Sequence, residues 1–174
     1  MSYSAAGIIY FSKKCDIAVQ NSIAIHIVNE AAKRQFGVSL GASIPSWTRE
    51  KFEQLWQINL KETDMLMPFN VTDSFLSCNC QKLFEPISIH NINEVDRRRV
   101  DVSKSMFPVL QSFFADVFTL EEISRIRFDW ELAYDMPENF KRIRCHPKQL
   151  CDVVEKQIEL TGSFEPSISV EFAK

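Results

Sequence analysis

The stretch Ile126-Arg127-Phe128-Asp129-Trp130-Glu131-Leu132-Ala133-Tyr134 places an apolar side chain at every second position, with Arg127, Asp129, Glu131 and Ala133 between them. A period of two is the repeat of an extended strand, whose successive side chains point to opposite faces. Alternation this clean belongs to an antiparallel sheet covered on one side, because strands of a parallel sheet are buried on both faces and read as continuous apolar runs. The expectation is a sheet with one face on a core and one charged face toward water.

The flanking sequence supplies the cover. Met106, Val109, Leu110, Phe113, Phe114 and Val117 recur at helical spacing and predict a core helix over 105–118. Thr119-Leu120-Glu121-Glu122 has the capping-box pattern and predicts a short helix to Ser124. Pro147, Leu150, Val153, Val154 and Ile158 predict a helix over 147–160, with Gly162 past its end, and Ser167 to Phe172 reads as a strand. Toward the N-terminus, Gly7 to Phe11 reads as a strand, followed by a helix over 16–36 that Gly37 stops. A further helix is expected from Pro45-Ser46 to Glu62, and a strand at Ile87 to Ile92. This order predicts an α+β fold: a single domain over 1–174, with a mainly antiparallel sheet and helices packed on one of its faces.

The 174 residues, 45% hydrophobic and 25% charged, contain no repeat and no Gly/Ser or Pro-rich linker, which is why one domain is expected. A chain of this size buries about 70% of its unfolded surface, so it needs neither disulfides nor a structural metal. The 5 cysteines are odd in number, no charged-then-apolar leader opens the chain, and no apolar run approaches the length of a membrane span. These features place the expectation in the cytoplasm, with no membrane partner and mostly free thiols.

Several activities lose support on motif grounds. The 4 glycines form neither a dinucleotide nor a phosphate loop, and the G-x-S-x-G elbow and H-E-x-x-H zinc helix are absent. Cys78, Cys80, Cys145, His146 and Cys151 lack the spacing of a zinc site. Cys151 falls about a turn inside its helix, too far in for the helix start to activate it, and His26 and His90 have no partner legible in the sequence. No catalytic residue, metal or cofactor is assigned.

Charge carries the remaining information. The net charge is −3, and the C-terminal third, 117–174, holds 11 acidic against 8 basic residues. Glu121, Glu122, Asp129, Glu131, Asp135 and Glu138 form the most distinctive charged segment. Carboxylates on a preformed strand face can steer a basic protein into contact. The leading expectation is a small protein-binding domain, an inhibitor or immunity protein that neutralises a basic nuclease-type toxin, with Trp47 or Tyr134 as apolar anchor. The alternative reads Arg142, Arg144, His146 and Lys148, within the basic run 141–148, as an anion site of an RNA- or nucleotide-binding protein or small enzyme. Arg97-Arg98-Arg99 is a second basic cluster.

Overall fold

Strand alternation is met again in every segment that pairs with the central one. The computed structural model describes residues 5–41, 50, 53–54, 58–61, 64–72, 107–130, 142–161 and 168–174. The strands are β1 (Ala5–Phe11), β2 (Gly37–Leu40), β3 (Leu66–Thr72), β4 (Ile123–Trp130), β5 (Ile143–Cys145) and β6 (Ile168–Ala173). They form one sheet in the order β2-β3-β1-β4-β6-β5. Every pairing is antiparallel except β5 with β6. The helices are α1 (Ile17–Lys33), α2, described over 107–117, and α3 (Leu150–Thr161), which follows a 3-10 turn at Pro147–Gln149.

All three helices lie on one face, as the sequence predicts. Ile9, Met67, Phe69, Val71, Ile126, Phe128, Val170 and Phe172 of the sheet share one buried cluster with Ile23 and Ile27 of α1, Phe107 to Val117 of α2, and Leu150 and Val154 of α3. Phe114 is its hub, with its ring centroid 4.8 Å from Phe128, 5.3 Å from Phe172, 5.2 Å from Phe113 and 5.9 Å from Phe69. Tilted and edge contacts of this kind add to the gain from burial. On the opposite face, Ala6, Ile8, Leu60 and Leu66 form a smaller cluster, so the segment at 58–61 covers the β1 and β3 end of that face.

Local readings depart from the structure in three places. No helix follows Thr119: its hydroxyl donates to the Asp116 carbonyl at 2.6 Å and closes α2, and Ile123 already pairs with Phe11 in the sheet. Gly37 does not end α1 but opens β2; Asp16 caps the helix start, accepting from the Val19 amide at 2.9 Å, and the reversal after Lys33 is made by Gln35 at φ 64°. The strands β2, β3 and β5 were not expected. Within β3, Pro68 stands one residue beyond the last rung to β2, Leu40 to Phe69, where a missing N–H costs nothing on that side. The expected strand at 87–92 and most of the expected helix at 45–62 lie outside the described residues.

Two contacts hold the layers in register. A Cβ on Gly7 would stand 2.0 Å from the Arg127 carbonyl oxygen and 2.6 Å from the Phe69 ring, so this position admits no side chain. Gly7→Ala should therefore lose about 1–3 kcal/mol in urea denaturation, since the obstructing oxygen belongs to backbone. At the far end of α1, Glu30 accepts from Lys33 at 2.7 Å and from Arg34 at 2.9 Å, and Arg34 reaches across to Ser112 and Asp116 of α2. The bonds from Lys33 and Arg34 hold the Glu30 carboxyl down to about 2 from its ordinary 4.5. A depressed carboxyl contributes stability above its unfolded value and loses it as pH falls through its folded one. Glu30→Gln should cost about 1–2 kcal/mol at neutral pH. That difference should vanish between pH 4.5 and about 2.

Candidate functional site

The second face of the sheet is built from the alternate residues of β4 and β6. Because Ile126, Phe128, Val170 and Phe172 point into the helical core, Arg125, Arg127, Asp129, Ser169 and Glu171 must point the other way. Register then fixes who meets whom: Arg127 lies opposite Glu171, Asp129 opposite Ser169, and Arg144 of β5 beside Glu171. Arg142, just before β5, donates through Nε to the Ser169 hydroxyl at 3.4 Å.

This face is not the water-exposed surface that alternation implied. Asp129 is only 2% exposed and Glu171 5%, and Arg127 is buried between them. β4 lies inside the sheet with β1 and β6 as neighbours, and long side chains from β5 and β6 lean over it. Asp129 accepts a 2.5 Å hydrogen bond from Ser169 and pairs with Arg127 at 3.5 Å. Burial pushes the Asp129 carboxyl up, against the pull of Arg127, Ser169 and Arg142, and pushes the Arg127 guanidinium down to about 10. Desolvation thus outweighs attraction within this pair, as is common for buried ions.

Glu171 organises the outer half of the site. Arg144 Nε lies 3.0 Å from Oε1, Arg125 Nη1 3.7 Å from Oε2 and Arg142 Nη1 4.0 Å from Oε2. Three guanidinium groups therefore surround one buried carboxylate, and Arg144 is largely exposed while Arg125 and Arg142 are partly so. The Arg125 guanidinium also lies 3.9 Å above the Tyr10 ring, a cation–π contact that fixes its plane. Such a group can hold an anion but contains no nucleophile paired with a base.

The residues singled out from sequence are distributed as follows. Arg142 and Arg144 join the cluster. His146 instead caps the turn at Pro147, with Nδ1 accepting from the Lys148 amide at 3.2 Å and its ring edge-on to Phe118 of the helical layer; Lys148 is exposed. Glu121 is exposed and Glu122 half-buried in the turn before β4. Asp129 is turned inward. Glu131, Asp135, Glu138, Trp47, Tyr134, His90, Arg97, Arg98, Arg99, Cys78 and Cys80 lie outside the described residues. Cys15, Cys145 and Cys151 are free thiols, each raised by burial, which disfavours the reactive thiolate. Among the described residues no three His, Cys, Asp or Glu side chains converge as metal ligands, and no helix is long and apolar enough to cross a membrane.

Sequence reasoning missed Arg125, Ser169 and Glu171 as members of the site. The alternation Ser169-Val170-Glu171-Phe172 signalled a polar face, but only the strand order brings it beside Arg144.

A raised carboxyl contributes stability below its unfolded value and loses it as pH rises through its folded one. Relative to Asp129→Asn, the unsubstituted chain should therefore become progressively less stable as pH climbs above 3.8, in thermal melts at fixed salt. A difference independent of pH would show that Asp129 is not desolvated. Neither a protein-family model, nor a curated protein, nor a solved structure matches this chain, so likeness carries no function to it.

Proposed function

We propose that the protein binds a phosphate-bearing small molecule on the second face of its sheet. The observation that carries this reading is the set of Arg125, Arg142 and Arg144 within 4.0 Å of the single carboxylate of Glu171. One carboxylate balances one guanidinium, so these four groups keep a formal excess of two positive charges. Each guanidinium has five N–H donors, of which Glu171 occupies few, and the remainder suit the tetrahedral oxygens of phosphate. Glu171 and Tyr10 hold the donors before a ligand arrives, which lowers the ordering cost of binding. The chain's net charge of −3 repels a long nucleic-acid backbone more than a single phosphate group, and so favours a nucleotide-sized ligand.

Capture of a basic partner protein, such as a nuclease-type toxin, is the second reading. The exposed carboxylates of Glu121, Asp152, Glu155 and Glu159 favour it, whereas Asp129 is spent inside the fold. The sign of the ligand separates the two readings.

Inorganic phosphate, pyrophosphate, ATP and a short oligoribonucleotide should be titrated against the full chain by thermal shift and calorimetry. Pyrophosphate or ATP should raise the melting temperature, and Arg142→Glu with Arg144→Glu should weaken binding at least about tenfold. Lys148→Glu, an exposed charge reversal outside the cluster, is the control. Equal loss in the control would reduce the effect to net charge, and absence of any shift would end the reading.

A further inference from the structure

We propose that two copies of the chain associate through the outward faces of α1, antiparallel, with the two-fold axis at Ile25. A surface helix normally shows a charged outer face. Here the residues turned from the core are Ile17, Ala18, Asn21, Ser22, Ile25, Val28, Asn29 and Ala32, with no ionisable side chain among them. Ile17 is 78% exposed, Ile25 63% and Val28 44%. Ile23, Ile27 and Ala31 point into the core, so rotation of the helix cannot hide this stripe.

The order of residues along the stripe selects a second copy as its occupant. A two-fold interface must be self-complementary, each residue i meeting a j that meets i in return. About Ile25 the stripe reads nearly the same in both directions. Ala18 and Ala32 each stand seven residues away, and Asn21 and Asn29 each stand four away. Antiparallel pairing sets Ile25 against the partner's Ile25 and Ala18 against the partner's Ala32, where small side chains let the backbones approach. Asn21 lies opposite the partner's Asn29, and two carboxamides can bond reciprocally. The seven-residue interval is the repeat at which packed helices keep facing one another.

Charge complements the register at both ends. Exposed Asp16, the cap of α1, falls beside the partner's Lys33, and the two-fold axis makes this pairing twice. The antiparallel arrangement also sets the positive end of one helix dipole against the negative end of the other. Because the axis is perpendicular to the helices, Ile17 and Val28 of both copies lie on the same flank and extend the apolar contact. A lone helix pair buries less than about 1,200 Å², the size class of weak, micromolar association.

Sedimentation of the full chain from about 1 to about 100 μM should show a monomer–dimer equilibrium, and Ile25→Asp should weaken it at least about tenfold. Ile25 is exposed, so the variant should keep the parental melting curve at low concentration. Under mild oxidation Ile25→Cys should cross-link above the level of the unsubstituted chain, as should the double variant Ala18→Cys with Ala32→Cys, whereas Ala18→Cys alone should not. A chain that stays monomeric throughout, or a dimer that survives Ile25→Asp, would overturn the proposal. Cross-linking through Ala18→Cys alone would overturn its antiparallel register.

Discussion

β4 has water on neither face, and this constraint governs the rest of the molecule. One face meets the phenylalanines around Phe114; the other carries Arg127 and Asp129 into a region where an ion is costly unless other ions and hydroxyls receive it. Ser169, Glu171, Arg142 and Arg144 receive them, all from β6, β5 and the residue before β5. Register is thereby specified twice. A slip of β4 by one residue would drive Arg127 and Asp129 into the aromatic core and expose Phe128 on the polar side, so apolar packing and ion pairing oppose the same error.

The arginines grade from inside to outside across the sheet. Arg127 is buried, Arg125 and Arg142 are partly exposed, and Arg144 on the edge strand is open to water. A three-residue edge strand with an outward arginine is a poor template for edge-to-edge pairing with another chain. The same side chain is the most accessible donor of the cluster. One feature thus discourages aggregation and offers a contact to an anion, while the buried carboxylates behind it keep the donors in place.

Much of the architecture was legible because two periodicities carried it. Phe113, Phe114 and Val117 marked α2, and Ile126, Phe128 and Trp130 marked β4; with them came the α+β class and the placement of the helices on one face. Short elements escaped for a shared reason. Gly37–Leu40 and Ile143–Cys145 are too brief for alternation to stand out, and Pro68 masked β3 by resembling a break. Thr119 to Glu122 misled because the hydroxyl of a threonine serves the end of a helix as readily as the start of one. The site was half legible. Arg142 and Arg144 could be named from the local run, but Arg125 and Glu171 become their neighbours only through a strand order that periodicity does not encode. Alternation likewise reports that Asp129 faces away from the apolar core and says nothing about whether water reaches it.

The arginine cluster and the uncharged stripe of α1 belong to opposite sides of the sheet. α1 packs on the face carrying Phe69 and Phe128, and its stripe points away from that face; Glu171 and its arginines occupy the other. A partner at α1 would therefore leave the guanidinium groups accessible, and a pair formed there would carry one cluster on each outer side. Two anion sites facing away from each other cannot grip one small ligand together, so each would fill independently and association would leave intrinsic affinity unchanged. Cooperation would appear only toward a ligand or surface carrying several anionic groups, where the second contact follows at the raised effective concentration set by the first.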